Sequence, residues 1–280
     1  MIRSTFTGAI FCLLCFVPSA SPSCASAVFD NAPQPSRDIS RLLQKAEHGD
    51  RHAQFQLGLA YESGVGIEQN YAEALRWYRK AADSGHSGAQ NNLGSMYGRG
   101  VGVARDDAEA MKWYRRAAAE GHPAAQNNIG FMYTTGRAAA GPEKPSSVDQ
   151  QEALKWYRKA AAGGYGPAEF NLGLAYFEGN GSEQNFGEAL RWLHKAAQHG
   201  SVAAENEIGY AYEHGRGVLQ DYKTALKWYQ AAADHGSPEG RQNLSILNAT
   251  GRQTSNKSAA LSSEDSPLPG KQSPSVERFH

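Results

Sequence analysis

Histidine is the side chain that most readily supports a metal site or acid–base chemistry near neutral pH, and eight of the nine histidines lie between residues 48 and 235. Five of them flank a recurring glycine: His86 and His122 follow it, whereas His48, His199 and His235 precede it. The sequence has no His-Glu-x-x-His motif, and its one His-x-x-x-His spacing, from His48 to His52, includes the recurring glycine at Gly49 and does not favour one continuous helical face with two zinc ligands. The histidines therefore indicate a recurring linker, and we predict no metal site and no cofactor.

Motifs that would position a nucleophile or a phosphate are also missing. The sequence contains no Gly-x-Ser-x-Gly elbow and no Ser-x-x-Lys pair for acyl transfer. Residues 98–102 (Gly-Arg-Gly-Val-Gly) superficially resemble a phosphate-binding loop, but no Gly-Lys follows, and equivalent glycines recur elsewhere in the chain. We therefore predict a non-enzymatic protein with no catalytic residues.

The first 27 residues are typical of a secretory signal peptide. Arg3 provides the positive start, residues 9–17 form the apolar run, and residues 25–27 (Ala-Ser-Ala) form a cleavage site. The apolar run is too short to span a bilayer, so we expect no transmembrane segment in the mature chain. A lipoprotein anchored through Cys24 is a less favoured alternative, because no aliphatic residue precedes it at 21–23. The expected location is periplasmic or secreted.

Cleavage after Ala27 removes all three cysteines and leaves 27 basic against 28 acidic side chains. A mature chain without thiols can neither form disulfides nor lose reactive cysteines in an oxidising compartment. Its near-neutral charge provides no electrostatic basis for nucleic-acid binding, so we predict that nucleic acid is not a partner.

A repeat organises the rest of the chain and contains all five tryptophans. Each tryptophan lies three residues after an alanine and four before an Ala-Ala pair, and the steps between them are 36, 43, 36 and 36 residues. The tryptophans are Trp77, Trp113, Trp156, Trp192 and Trp228. A glycine recurs in the same register, as Gly58, Gly94, Gly130, Gly173 and Gly209. Periods of roughly 20–50 residues are typical of solenoids, which present extended surfaces.

Each repeat is predicted to form two helices. In the first repeat, Leu57 and Ala60 share a helical face, and Gly64 ends that helix because glycine adopts a positive φ without strain. The second helix is predicted to bury Tyr71, Ala74, Leu75, Tyr78, Ala81 and Ala82. A glycine inside a helix costs about 1 kcal/mol relative to alanine. Its recurrence therefore indicates close helix approach, and each tryptophan is expected to pack between neighbouring repeats.

These features divide the chain into a signal peptide at 1–27, a linker at 28–38, a solenoid at 39–248 and a Ser- and Pro-rich tail at 249–280 that we predict to be disordered. Five repeats are expected at about 53–88, 89–124, 125–167, 168–203 and 204–239. A half-repeat is expected to cap each end.

The repeats resemble the Sel1-like repeat (SLR) family, a relative of the tetratricopeptide (TPR) repeats. The resemblance rests on the pattern A-x-x-x-L-G-x-x-Y-x-x-G-x-G-V-x-x-(D/N)-x-x-x-A-x-x-W-Y-x-x-A-A-x-x-G, which residues 89–121 match almost throughout. It implies an all-α fold, an α-solenoid wound as a right-handed superhelix whose first helices line a concave groove. It also implies a scaffold or adaptor role in bacterial envelopes or host interaction. Some cysteine-rich relatives bind or hydrolyse β-lactams, so a cell-wall or β-lactam-related activity is the alternative function. The cysteine-free mature chain disfavours it.

By this resemblance, the groove is lined by the residues three before, one after and four after each helical glycine. Protein or peptide binding is therefore expected at Phe55, Leu59, Glu62, Asn91, Ser95, Gly98, Asn127, Phe131, Thr134, Phe170, Leu174, Phe177, Asn206, Tyr210 and Glu213. Large apolar side chains on a solvent-facing surface indicate a binding site, and asparagine can hydrogen-bond a partner's main chain. The alternative is that superhelical curvature buries these side chains.

Two further surfaces offer weaker candidates. The third repeat carries seven extra residues within 137–147, and insertions in repeat proteins often lie on the binding face, although loops tolerate added length. A basic ridge on the second helices offers contact with an anionic surface such as lipopolysaccharide or acidic lipid. The ridge consists of Arg76, Arg79, Lys80, Lys112, Arg115, Arg116, Lys155, Arg158, Lys159, Arg191, Lys195 and Lys227. Glutamates three residues earlier on the helices favour instead a solvated face with weak ion pairs.

Overall fold

The computed structural model of the protein describes residues 37–138 and 146–250, and within these ranges it contains α-helices and no strands. The helices are α1 (Arg37–Glu47), α2 (Arg51–Ser63), α3 (Tyr71–Asp83), α4 (Ser87–Arg99), α5 (Asp107–Ala119), α6 (Pro123–Thr134), α7 (Ser147–Ala162), α8 (Gly166–Glu178), α9 (Phe186–Gln198), α10 (Val202–His214), α11 (Tyr222–Asp234) and α12 (Pro238–Ala249). The predicted signal peptide, most of the predicted linker, residues 139–145 of the insertion and the tail from residue 251 lie outside the described residues.

The helices form a linear array in which each packs against the next along the chain. Five pairs pack most extensively and constitute the repeats: α2–α3, α4–α5, α6–α7, α8–α9 and α10–α11. The single helices α1 and α12 cover the two ends, where the sequence predicts half-repeats. The fold is therefore an all-α solenoid, and its helices extend slightly beyond the predicted limits of 39 and 248 at both ends.

Local sequence fixes where the helices begin and end. In the first repeat, Asn70 caps the second helix, because its Oδ1 accepts hydrogen bonds from the backbone N–H groups of Ala72 and Glu73 at 3.0 and 3.1 Å. The first helix ends at Gly64, whose φ of 73° lies in the left-handed region. The N–H of Gly64 donates to the carbonyl oxygen of Ala60 at 2.8 Å. Short connections thus turn the chain sharply between the paired helices.

The helical glycine allows the two helices of a repeat to approach closely. A Cβ atom built on this glycine would lie within 3 Å of a ring or branched side chain on the second helix. These separations are 2.5 Å from Gly58 to Tyr78, 2.8 Å from Gly94 to Tyr114, 2.6 Å from Gly130 to Tyr157, 2.8 Å from Gly173 to Leu193 and 2.7 Å from Gly209 to Tyr229. Only glycine fits these positions without displacing the partner side chain.

The tryptophans connect neighbouring repeats. Trp113 is only 2% exposed and packs in a cluster with Tyr78 of the preceding repeat and with Leu93 and Met96 of its own first helix. Trp156, Trp192 and Trp228 are partly buried against the corresponding clusters one repeat earlier. Because each tryptophan contacts the previous repeat, the core is continuous along the array.

One predicted core residue lies at the surface. Tyr71 is 39% exposed, although helical spacing places it on the buried stripe of α3. It is the first residue of that helix, so no preceding turn of α3 covers its ring. Its hydroxyl instead accepts a hydrogen bond from Nε2 of Gln69 at 3.1 Å.

Among the described helices, none combines the length and the apolar character that crossing a membrane requires.

Candidate partner-binding surface

The predicted binding positions lie on the first helices α2, α4, α6, α8 and α10, and we call this surface the first-helix face. Phe131 and Leu59 are the most exposed of its apolar side chains, at 47% and 39%. The other large side chains on this face are half-buried: Phe55, Phe170, Leu174, Phe177 and Tyr210. Apolar rings and chains are therefore accessible at several points along the face.

Asparagines link adjacent first helices, a role that sequence analysis did not predict. Oδ1 of Asn91 accepts a hydrogen bond from Nδ2 of Asn128 in the next repeat at 3.0 Å. The same contact joins Asn171 to Asn127 and Asn243 to Asn206, each at 2.9 Å. Asn91, Asn127 and Asn206 all use their side-chain carbonyl oxygens in this way, and Asn127 is only 9% exposed. These oxygens, which we predicted to accept hydrogen bonds from a partner, therefore accept hydrogen bonds within the protein.

The position four residues after the glycine is also used internally. The hydroxyl of Tyr78 donates a 2.5 Å hydrogen bond to the carboxylate of Glu62, and Tyr229 donates to Glu213 at 2.8 Å. In the third repeat, the hydroxyls of Tyr157 and Thr134 lie 3.1 Å apart. Burial is the main cause of the raised pKa of Tyr78 and of Tyr229, and the hydrogen-bonded carboxylate raises each pKa further. These side chains therefore join the two helices of a repeat as well as lining the face.

Phe55 belongs to the junction between the first two repeats. Its ring stacks on His86 with 4.4 Å between centroids and lies 5.9 Å from the ring of Tyr78. His86 also caps α4, because its Nδ1 accepts the N–H of Ala89 at 3.2 Å. Burial lowers the pKa of His86, which favours the neutral imidazole. The histidine thus has a structural role, consistent with its position in a linker.

An aromatic row crosses repeats four and five. The ring of Phe177 lies 5.0 Å from Phe186 and 6.1 Å from Tyr210 between centroids, both in edge-on geometry. Tyr210 in turn stacks on His214 at 4.1 Å. The predicted residues Phe177 and Tyr210 are therefore brought together, and the structure adds two ring systems that the positional rule did not include.

A pocket opens beside Phe131 between repeats two and three. Its volume is about 170 Å³, and Ser95, Tyr114 and Arg137 contribute to its lining. Arg137 begins the insertion, and its Nη2 donates to the carbonyl oxygen of Gly98 and pairs with Asp107. The hydrogen bond from Arg137 is the main cause of the fall in the pKa of Asp107 to about 2. The described start of the insertion is thus anchored to the preceding repeat.

The basic ridge is largely committed to contacts within the solenoid. The predicted ion pairs form on the second helices, as between Arg76 and Glu73 at 3.2 Å. A cation three residues after the tryptophan covers its ring, as Lys80 covers Trp77 at 4.1 Å from the centroid. Equivalent contacts join Arg116 to Trp113, Lys159 to Trp156 and Lys195 to Trp192. These contacts favour a structural role for the ridge over an anionic binding site.

Two glutamate–histidine pairs were missed by sequence analysis. Nδ1 of His199 lies 2.6 Å from Oε2 of Glu169, a side chain that is only 2% exposed, and Nδ1 of His235 lies 2.9 Å from Oε2 of Glu205. In repeats one to three the glutamate position is a glutamine that donates to the carbonyl of the preceding second helix, as Gln90 Nε2 does to Ala82 at 3.1 Å. The sequence contains a signal for these pairs: the glutamate and the histidine both occur in repeats four and five, and neither occurs at these positions in repeats one to three.

The serines that follow the two glutamate–histidine pairs in the sequence are not available as nucleophiles. Ser201 and Ser237 cap helices, because their hydroxyl oxygens accept N–H groups from Ala204 and Gly240 at 3.3 and 2.9 Å. Within the part of the chain that the structure describes, no three His, Cys, Asp or Glu side chains form a group suited to a metal ion.

A model of the Sel1 repeat matches five segments of this sequence: 51–86, 87–122, 123–165, 166–201 and 202–237. Each segment begins two residues before the corresponding predicted repeat and contains one helix pair. Together the segments account for most of the chain. A search of the curated proteins found no match.

Solved structures show the same architecture. A Sel1 repeat protein from Oxalobacter formigenes is 32% identical, with a TM-score of 0.69, over 78% of this chain and 84% of that chain. A protective antigen of uropathogenic Escherichia coli strains, which displays an SLR fold, is 37% identical with a TM-score of 0.67. That match covers 76% of this chain but only 44% of the antigen. A sel1 repeat protein from Klebsiella pneumoniae, at 22% identity and a TM-score of 0.50, shares the fold.

Proposed function

Because this chain belongs to the Sel1 repeat family, whose members are generally non-catalytic scaffolds for protein–protein interaction, we propose that it is an exported adaptor that binds a protein or peptide through its first-helix face. The exposure of Phe131 carries the proposal. This ring is 47% exposed on a face whose neighbouring positions are otherwise occupied by internal hydrogen bonds. Accessible aromatic side chains are typical anchors of protein interfaces.

The surroundings of Phe131 support this assignment. The pocket beside it is open to solvent and combines an aromatic wall with the hydroxyl of Ser95 and the cation Arg137. Apolar surface with a few polar groups at its margin is the usual composition of a peptide-binding groove. Leu59, Phe170 and Leu174 continue the apolar character along other repeats, so an extended segment would contact several repeats at once.

Site-specific photocrosslinking in the native bacterium tests the binding surface. A photoreactive phenylalanine analogue at position 131 should give a defined covalent adduct, and the same analogue at Arg115 on the exposed side of α5 serves as the control. Mass spectrometry of the adduct identifies the partner. Equal adduct yields at positions 131 and 115, or none at 131 in growing cells, would contradict the proposal.

Export is a separate part of the proposal and rests on the predicted signal peptide. Cell fractionation should place the protein in the periplasm or the medium, and mass spectrometry should identify Val28 as the first residue of the mature chain. An intact N-terminus on a cytosolic protein would exclude this location. The binding proposal does not depend on the outcome, because it concerns only the solenoid.

A further inference from the structure

The pocket beside Phe131 is opened by a glycine that the other repeats lack. Gly98 lies four residues after the helical glycine of repeat two. In the other repeats this position carries a side chain: Glu62, Thr134, Phe177 or Glu213. A Cβ atom built on Gly98 would lie 3.3 Å from Nη2 of Arg137 and 3.5 Å from Cβ of Ala110. The guanidinium group of Arg137 therefore lies next to Gly98, where the other repeats place a side chain.

Internal contacts hold Arg137 in place but use only part of its guanidinium group. Its Nη2 donates to the carbonyl oxygen of Gly98, and both Nε and Nη2 donate to Oδ1 of Asp107. None of the hydrogen bonds among the described residues uses Nη1. A guanidinium group has five N–H donors, so the two on Nη1 can bind a further acceptor.

The two charged side chains that line the pocket are both arginines, Arg99 and Arg137. Arg99 is the last residue of α4 and is exposed, and within the described part of the chain it forms no ion pair. Asp107, the carboxylate that pairs with Arg137, also pairs with Arg105 at 2.7 Å. Its negative charge is thus shared between two cations, and the lining of the pocket retains positive charge.

We propose that this pocket binds an aspartate or glutamate side chain of an extended partner segment. The inference rests on the proposed function and adds the charge of the partner. The carboxylate accepts hydrogen bonds from Nη1 of Arg137 and from the guanidinium group of Arg99, and an apolar neighbour in the segment packs on Phe131. The side chain of Arg137 is only 25% exposed and already held, so binding costs it little conformational freedom.

Four probes test the charge preference with the purified full chain. Three are fluorescein-labelled, amidated nonapeptides made of a repeated triplet, Gly-Leu-Glu, Gly-Leu-Gln or Gly-Leu-Lys, and fluorescence anisotropy reports their binding. We expect the Glu probe to bind most tightly and to weaken as salt increases, because salt screens exposed charge pairs. The fourth is the Gln probe with a free C-terminal carboxylate, which should bind no more tightly than its amidated form.

A single substitution tests the pocket itself. Arg99→Gln removes one cation and leaves the contacts of Arg137 with Gly98 and Asp107 in place. It should weaken the Glu probe by about fivefold or more and leave the Gln probe nearly unchanged.

Arg115→Gln is the matched control, because Arg115 lies on the exposed side of α5 and its Nη2 donates to the hydroxyl of Tyr133 at 3.4 Å. This variant should leave the affinity for the Glu probe unchanged, and circular dichroism melting checks that both variants fold. If both variants weaken the Glu probe equally, the effect is one of overall charge and the inference is wrong.

Three further outcomes would overturn the inference. They are a Glu probe that does not bind, an amidated Gln or Lys probe that binds as tightly as the Glu probe, and a free-acid Gln probe that does so. The last result would assign the pocket to a terminal carboxylate in place of a side chain.

The proposed function is judged separately, because the photocrosslinking yield at position 131 does not depend on the charge of a synthetic probe. A crosslinked partner whose bound segment lacks acidic residues would retain the adaptor function and reject the charge preference. The two hypotheses can therefore fail independently.

Discussion

The ring of Tyr78 lies directly against the backbone of Gly58, and the Tyr78 hydroxyl reaches Glu62 one turn further along the same first helix. The Tyr78 side chain thus makes both the close contact and the hydrogen bond that join the two helices of this repeat. Four of the five repeats keep a tyrosine here, whereas repeat four has Leu193 with Phe177 at the position equivalent to Glu62. Repeat two keeps Tyr114 but has Gly98 at that position, so the tyrosine recurs more often than its hydrogen-bond partner.

We predict that Gly58→Ala destabilises the protein by up to about 2 kcal/mol. Alanine improves helix propensity by about 1 kcal/mol, but overpacking a core costs about 1–3 kcal/mol, and a Cβ atom 2.5 Å from the ring of Tyr78 requires the buried ring to move. Urea unfolding measures the change. Gly187→Ala in α9 is the matched control, because its Cβ would meet only Asn185 Oδ1 at 3.4 Å. A loss of stability no larger than that of the control would refute the packing argument.

Truncation of the tryptophans should reveal their different degrees of burial. Trp113→Ala should cost about 3–5 kcal/mol, because this side chain is 2% exposed and lies in the core between repeats one and two. Trp156→Ala should cost less, since Trp156 is only partly buried. Hydrogen exchange should accelerate in the mutated repeat and in its neighbours, because nearest-neighbour interfaces stabilise such arrays. An effect confined to one repeat would contradict this interpretation.

The His235–Glu205 pair predicts a pH dependence of stability. The hydrogen bond and the charge of Glu205 raise the pKa of His235 above its usual value. The stabilisation is therefore fully present below the unfolded-state pKa of about 6.5 and is lost as the pH rises through the raised value. The Glu205→Gln variant should have a lower melting temperature than the wild type, and this difference should be larger at pH 6 than at pH 8.5. A difference that is constant or grows with pH would show that the pair does not titrate in this way.

The different exposure of two side chains in α6 should distinguish the proposed binding surface from the core. Phe131→Ala should change the free energy of unfolding by no more than about 0.5–1 kcal/mol, because the ring is 47% exposed. Ile129→Ala in the same helix should cost about 2–5 kcal/mol, because Ile129 has no exposed surface. Thermal and urea unfolding measure both. Similar losses for the two variants would place Phe131 in the core and remove the main support for the binding surface.

The features that recur in every repeat could be predicted from the sequence. Gly58 and Trp77 have counterparts at a fixed spacing, and a local rule connects each to its role: close helix approach for glycine and burial for a large ring. The exposed Tyr71 shows the limit of helical spacing, which indicates a face but not whether the end of a helix is covered.

The pairings between distant residues were not predicted. Asn128 and Asn91 are 37 residues apart, and His199 and Glu169 are 30 apart, so their contacts depend on the three-dimensional offset between helices. Their residue types also vary between repeats. From the sequence, Asn91 is predicted to bind a partner, whereas in the structure its Oδ1 accepts a hydrogen bond from Asn128 on the next first helix. Binding by the first-helix face itself remains a prediction.

We expect the Asn–Asn contacts to determine which repeats are interchangeable. Removal of residues 123–165 would bring the donor Asn171 opposite the acceptor Asn91 and recreate an existing type of junction. Removal of 166–201 would instead place Glu207 opposite Asn127, a combination that the described chain does not contain. We expect the first shortened chain to melt cooperatively and the second to lose more stability. Changes in array length, through the gain or loss of repeats, would then be restricted to those that preserve compatible junctions.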